Sequence, residues 1–269
     1  MQRSGKEPRF ADDSQRQDVM NRLIGIHAVE EALIAGRALD RVMIANGRHG
    51  QRLEDIVRLA RSRNVPVRFE ERRLIDQLAG TREHQGIVAL AASKPAIDLA
   101  DLLKRRAPEG LIVLLDGVED PRNLGAIVRT ALASGAQAVV IPERRAAGLT
   151  EAVARASAGA LEHLPVARVK NTARAMEEMK AAGYWLVGLD ELAPKTYTDV
   201  DYSGSVGIVM GGEGRGLNEL TRKRCDFLVS IPTTGPVRSL NVSVAAGIVL
   251  FEAVRQRAVK KTQRGRERN

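Results

Sequence analysis

The chain has 269 residues, a formal charge of +9 and 44% hydrophobic residues. That composition supports a folded core of one or two domains and excludes a wholly disordered protein. One cysteine, Cys225, excludes a disulfide framework within the chain, and no apolar run approaches the ~18 residues of a membrane span.

Residues 1–19 are polar, mixed in charge and without the apolar stretch of a secretory signal, so a disordered tail is expected there. A reducing, cytoplasmic setting fits the cysteine count. A small α/β domain is expected over residues 20–94. GIHAVEEALIAG, QRLEDIVRLARSR and ERRLIDQLAG have helical periodicity, while RVMIAN, VPVRFE and GIVALAAS have strand character. Residues 95–110 form a partly helical linker. Over 111–257, LIVLLD, AVVI, LPVARV, YWLVGL, VGIVMGG and FLVSIP are short apolar runs, separated by helical stretches such as NLGAIVRTALASG, TARAMEEMKAAG and NELTRKRC. This alternation predicts a parallel sheet covered by helices on both faces. Val242 to Val254 has almost no polar side and is expected to be a helix buried nearly all round. From Arg255 on there are seven basic residues and one acid, which predicts a frayed basic tail over 258–269.

The basic residues are 33 Arg and 9 Lys. The planar arginine fork suits phosphate, so a nucleic-acid partner is favoured. Aromatic residues make up only 3%, which argues against a surface that stacks successive bases. Four histidines, His27, His49, His84 and His163, are scattered without ligand spacing, so no metal is expected. Cys225, Tyr184 and Trp185 are expected in the core.

Three segments carry the chemistry, each at the carboxyl end of an expected strand, where open α/β sheets bind ligands. The first is LLDGVEDPRNLGAIVRTALASGA, 114–136. Asp120-Pro121 makes a turn, Asn123 stands at the start of a helix as a candidate cap, and Arg129 follows among Ile127, Val128, Ala131 and Leu132. Arg129 is open to two readings: a solvent-facing side chain, or a buried or half-buried one that needs an anionic partner. The second is GIVMGGEGRGL, 207–217. Its glycines fit neither G-x-G-x-x-G nor a P-loop, and Glu213 would repel a pyrophosphate. They suit close backbone approach to a neutral or cationic ligand. The third is SIPTTGPVRSLNVSVAAGI, 230–248, in which Ser239 and Asn241 open the apolar helix. Capping and contact with a ligand are both open to them.

In order and spacing, N-L-G-x-I-x-R, M-G-x-E-G-x-G and I-P-x-x-G-x-x-x-S-L-N-V-S-V-A resemble the motifs of the SpoU/TrmH branch of the SPOUT RNA 2′-O-ribose methyltransferases. GIHAVEEAL, EHQGIVA, DGVEDPRN and LFEAVRQR are similar to the bacterial subgroup that methylates a guanosine of 23S rRNA. The resemblance covers residues 22–257. It implies an α/β fold: a carboxyl-terminal parallel-sheet knotted (SPOUT) domain, preceded by a small ribosomal-protein-like α/β domain that binds the RNA substrate. It further implies S-adenosyl-L-methionine held by three loops that carry Leu189, Met210, Gly211, Ile231, Thr233 and Leu240. By the same resemblance Arg129 would hold a substrate phosphate and stabilise a developing alkoxide. Asn123, Ser239 and Asn241 would orient the ribose hydroxyl, with Glu213 pairing with Arg129 or Asn123. A homodimer joined through the terminal helices is implied as well. Arg22, Arg41, Arg48, Arg61 and Arg63 are candidate RNA contacts in the first domain, and His27 is open to RNA contact or to a capping or packing role. The alternatives are 2′-O-methylation of tRNA or another rRNA site, and an RNA-binding module without catalysis.

Overall fold

The structure, a computed structural model, describes residues 22–91, 97–104, 109–236 and 239–266. The expected tail over 1–19 lies outside the described residues, as do 92–96 and 105–108 around the expected linker. Two compact units divide the chain, one up to Lys94 and one from Pro95 on.

The first unit runs β1 (Arg22–Ile24), α1 (Ile26–Ile34), β2 (Leu39–Ala45), α2 (Gln51–Ser62), β3 (Val67–Glu70), α3 (Arg72–Ala79) and β4 (Ile87–Ala91). Its sheet has the order β1-β4-β2-β3, with β2 and β3 parallel and the other pairs antiparallel. Alternation along β2 sorts the core into two layers. Val42 and Ile44 face α1 and α2 through Val29, Leu33 and Ile56, while Met43 and Ala45 face α3 through Ile75 and Ala79. Each fully buried aliphatic side chain here contributes about 1.5–3 kcal/mol. His84 is buried and structural: its Nδ1 accepts from the Gly86 N–H at 3.0 Å, which leaves Nε2 to donate to Asp76 at 2.7 Å.

The second unit runs α4 (Leu99–Lys104), β5 (Leu111–Asp116), α5 (Pro121–Ala133), β6 (Ala138–Pro142), α6 (Glu151–Ala156), α7 (Ala160–His163), β7 (Val166–Val169), α8 (Thr172–Ala181) and β8 (Trp185–Leu189). It continues with β9 (Lys195–Thr196), a single 3-10 turn (Tyr197–Asp199), β10 (Val206–Gly211), α9 (Glu219–Arg224), β11 (Phe227–Ser230) and α10 (Val242–Arg266). All seven strands are parallel, in the order β7-β6-β5-β10-β8-β11-β9. Strands late in the chain enter between earlier ones: β10 lies between β5 and β8, and β11 between β8 and β9. Leu111, Val113 and Leu115 of β5 pack against α5, α6 and α10 on one face, and Ile112 and Leu114 pack against α4 and α8 on the other. Two-sided burial explains why these strands are continuous apolar runs rather than alternating ones.

Three expectations are corrected here. The stretch from Arg255 to Arg266 is not frayed, because α10 continues to Arg266; residues 267–269 lie outside the described residues. It is held by Gln256 donating to Val200 O at 3.1 Å, Arg257 donating to Gly204 O at 2.9 Å and Lys260 donating to Ser203 at 2.6 Å. Nor is α10 buried all round. Val242, Ala246, Val249, Leu250 and Ala253 form its buried stripe, but Val244 and Phe251 are 51% and 50% exposed. A helix that packs on one sheet face and on α5 has a side left over, and here that side is apolar. Finally, Trp185 is 58% exposed, tilted against Phe227 with ring centroids 5.8 Å apart. It stands at the amino end of β8. Tyr184 is buried, its hydroxyl donating to Gln137 at 2.8 Å.

Candidate active site

The strands β10, β8 and β11 are neighbours, so their carboxyl ends bring three loops together. Between these loops and the first turn of α10 lies a cleft of about 690 Å3. Leu189, Asp190, Glu191 and Leu192 line it from the end of β8, Met210 to Leu217 from the end of β10, and Ser230, Ile231, Ser239, Leu240 and Asn241 from the segment after β11.

The second loop is glycine-rich for steric reasons. A Cβ on Gly212 would lie 2.1 Å from the carbonyl oxygen of Gly117, and one on Gly211 would lie 2.0 Å from the carbonyl carbon of Gly216. Both contacts are with backbone, which cannot swing aside. The loop after β10 is thereby pressed against the loop after β5, and Glu213 is carried to the amino end of α5.

Asn241 stands one residue before α10. Its Oδ1 accepts from the Ser243 N–H at 2.9 Å and from Ser243 Oγ at 2.6 Å, so it caps the helix. Because a backbone N–H can only donate, this bond fixes the amide: oxygen toward Ser243, nitrogen outward. Nδ2 of Asn241 then donates to Oδ1 of Asn123 at 3.0 Å. That in turn leaves Nδ2 of Asn123 to donate to the Glu213 carboxylate. The result is a one-way chain of donors, Ser243 to Asn241 to Asn123 to Glu213, which joins three segments far apart in sequence. Asn241 therefore acts at once as cap and as cleft-side amide. Asn123 is not the cap of α5: that is Asp120, whose carboxylate accepts from the Arg122 N–H at 2.8 Å and is held below its ordinary range by that bond.

Leu189, Met210, Gly211, Ile231 and Leu240 line the cleft, and so do Glu213, Ser239 and Asn241. Asn123 reaches the cleft only through its two hydrogen bonds. Thr233 is half-buried and is not among the lining residues. Arg129 takes the solvent-facing one of its two readings. It is exposed, outside the lining, and bonded to none of the described residues. Six residues along a helix is roughly 9 Å of rise and about a third of a turn from Asn123, so its side chain leaves α5 on another face. Asp190, Glu191, Leu192 and Arg222 are lining residues that the motifs do not mark. Arg222 bridges to Asp190 at 2.7 Å. For Asp190, Glu191 and Leu192 the only signal is position, directly after an expected strand; Arg222 lies inside α9 and had none. Cys225 is half-buried, and burial pushes its thiol up to about 12, which leaves it inert. In the first unit Arg22 donates to Leu78 O at 2.7 Å and Arg63 to Ile34 O at 3.3 Å. Among the described residues no cluster of three His, Cys, Asp or Glu is placed to hold a metal, and no helix is long and apolar enough to cross a membrane.

The cleft fits S-adenosylmethionine in size, since small-molecule sites run from about 300 to 1,000 Å3. It fits in donor set, because glycine-rich backbone without side chains lets a ligand approach main-chain groups. It also fits in charge. Asp190, Glu191 and Glu213 against Arg215 and Arg222 leave one net negative charge around a donor that is cationic overall.

Comparison with known proteins agrees. Residues 110–251 match the SpoU rRNA methylase family, and residues 22–96 match an RNA 2′-O ribose methyltransferase substrate-binding family. A Bacillus subtilis protein, YacO, named as a TrmH family tRNA/rRNA methyltransferase, is 42% identical over 91% of this chain and 98% of its own. An AdoMet-bound rRNA methyltransferase from Sinorhizobium meliloti superposes with a TM-score of 0.76 at 27% identity, over 90% of each chain. A shorter structure, concerned with 2-OH methylation of C/U34 on tRNA, has a TM-score of 0.51 at 28% identity, over 56% of this chain and 97% of its own. This chain belongs to the SpoU/TrmH family of SPOUT RNA 2′-O-ribose methyltransferases, whose methyl donor is S-adenosylmethionine.

Proposed function

We propose that this protein methylates the ribose 2′-hydroxyl of a guanosine in 23S ribosomal RNA, in the cytoplasm and as a homodimer. The observation that carries the reading is the one-way chain Asn241–Asn123–Glu213 at the lip of the cleft. An oriented pair of amides, held by a helix cap on one side and a carboxylate on the other, suits a neutral hydroxyl nucleophile. The rRNA target rests on the first unit. The tRNA-modifying neighbour spends 97% of its length on 56% of this chain, too little to span both units, whereas this chain adds a unit that matches a substrate-binding family.

When bound, the cofactor supplies a sulfonium methyl, an electrophile that needs no further activation. Leu189, Met210, Gly211, Ile231 and Leu240 would hold it, with Thr233 placed nearby by the segment after β11. Asn241 and Ser239 position the ribose, and Asn123 keeps Asn241 from turning. Glu213 fixes Asn123. The enzyme's part is proximity and orientation, worth up to roughly 7–11 kcal/mol in model reactions. Transfer releases one proton from the hydroxyl.

Arg129 completes the site from a second subunit. Its side chain leaves α5 away from the chain's own cleft, and α5 packs against α10, whose Val244 and Phe251 are exposed. Val244 and Phe251 are seven residues apart, hence on one face, and suit burial against a symmetric copy. Across that contact Arg129 would reach the partner's cleft, hold the phosphate next to the target ribose and stabilise the developing alkoxide. A guanidinium stays protonated, so it acts as a cation rather than as a base.

The test is to map 2′-O-methyl groups in total RNA from cells lacking the protein. The reading predicts one guanosine of 23S rRNA that loses its methyl group and regains it with the wild-type gene. It predicts no recovery with Asn241→Asp. Loss of a methyl group from tRNA alone would overturn the target.

A further inference from the structure

We infer that a row of arginines along the carboxyl end of the sheet is the track on which the RNA backbone leaves the cleft. The inference rests on the methyltransferase reading and adds to it a path across the second unit.

The carboxyl ends of β10, β5, β6 and β7 follow one another in the sheet. Each carries a cation on the segment that follows or ends it. Arg215 is on the loop after β10, at the cleft lip. Arg122 opens α5 after β5. Arg144 and Arg145 follow β6, and Arg168 lies near the end of β7. All five are exposed. The loops touch directly: Gly212 packs on the Gly117 carbonyl, and the Ala147 N–H donates to Val118 O at 2.9 Å. Arg168 in turn reaches the same loop, its guanidinium lying within 3.8 Å of where a Cβ on Gly148 would stand. With neighbouring strands 4.7–4.9 Å apart, β10 to β7 spans roughly 14 Å. That is a row long enough for several backbone phosphates in succession.

Pairing within the fold does not explain these side chains. Arg122 has a long contact with Asp120 at 3.5 Å. Among the described residues, Arg144, Arg145, Arg168 and Arg215 have no carboxylate partner. The acids at this end are largely engaged elsewhere. Asp120 caps α5, Glu213 is bonded to Asn123, Asp116 accepts from Asn218 and Asp190 is bridged to Arg222, so Glu119, Glu143 and, at the cleft, Glu191 are left over. Arg145 also has a positive φ of 59°, a conformation that costs a residue with a Cβ and is seldom given to arginine without use. Exposed guanidinium groups in sequence along one edge, beginning at a cleft that takes RNA, fit phosphate rather than a protein surface.

The experiment uses full-length Arg144→Gln/Arg145→Asn and Arg168→Gln variants, asparagine being chosen because it tolerates positive φ. Initial methylation rates on rRNA are measured over a range of KCl concentrations, alongside cofactor affinity, thermal midpoint and sedimentation. The expected result is a several-fold rise in KM for RNA, with kcat, cofactor affinity and oligomeric state unchanged. The slope of log affinity against log salt should also fall by about 0.7 per arginine removed. An unchanged KM and salt slope would overturn the inference. A change in oligomeric state would overturn it too, by assigning the row to subunit contact. Failure of the wild type to methylate any RNA would instead strike the underlying reading.

Discussion

Replacing Asn241 separates its two duties. The alanine variant loses both. The helix cap contributes about 1 kcal/mol and the bond to Asn123 about another 1 kcal/mol, less for its exposure. Asn241→Ala is thus expected to lose about 2 kcal/mol, or roughly 4–8 °C in Tm for a unit of this size. Asn241→Asp loses only one duty. Its carboxylate still accepts from the Ser243 N–H and Oγ, and a negative charge at a helix start is favourable. What it cannot do is donate, so it faces Oδ1 of Asn123 acceptor to acceptor. If Asn123 turns its amide to answer, its oxygen meets the Glu213 carboxylate instead. Either way one contact is repulsive and the ribose-facing geometry is lost. Asn241→Asp is therefore expected to melt within about 2 °C of wild type, yet to lose at least ~100-fold in methylation rate, the scale on which loss of one oriented donor acts. Thermal unfolding and labelled methyl transfer on the same preparations provide the check. An aspartate variant active within threefold of wild type, or as unstable as the alanine variant, would refute the reasoning.

Gly212→Ala places a Cβ 2.1 Å from the Gly117 carbonyl, so the loops must part. Expected are a loss of about 1–3 kcal/mol and the disappearance of the rise in Tm that S-adenosylmethionine gives the wild type. Arg129→Ala should abolish methylation and leave cofactor affinity intact, as read by calorimetry. Co-expressed with Asn241→Asp it should recover about a quarter of wild-type activity, because half of randomly assorted dimers carry one intact site of two. Phe251→Asp should turn dimers into monomers in sedimentation and remove activity with them. Glu252 carries the pH prediction: hydrogen bonds from Arg255, then Gln256, hold its carboxyl below the ordinary 4.5. A lowered value stabilises the fold above the unfolded pKa and ceases to do so as pH falls through the folded one. The gap in Tm between wild type and Glu252→Gln should therefore be widest near neutral pH and shrink as pH falls below the ordinary carboxylate range, in melts taken at each pH.

Much of the second unit was legible because burial on two faces leaves a plain mark. LIVLLD and VGIVMG have almost no polar residue, and both are strands. The three motif segments likewise fall at one end of the sheet, after β5, β10 and β11, since parallel strands end on the same side. Other features left no mark. The strands β1 and β9 have three and two residues, too few for any period to show. Up to Val254 the exposed side of α10 is as apolar as its buried side, so hydropathy alone could not tell a face kept for another subunit from a face in the core. Arg129 sits among aliphatic neighbours in sequence that turn inward while it turns out. The loop after β8 has no glycine and no repeat of polar residues to mark it, yet Asp190 and Leu192 line the cleft. Trp185 heads an apolar run but is exposed at the amino end of its strand.

The chemistry itself can be observed directly. Purified protein is incubated with rRNA and S-adenosylmethionine labelled in its methyl group, and the product is digested with alkali. A methyl on the 2′-oxygen blocks alkaline cleavage at that nucleotide, so the label should appear in a single resistant dinucleotide that begins with guanosine. Label released on an ordinary mononucleotide would place the methyl on a base and contradict the account, as would the absence of any transfer.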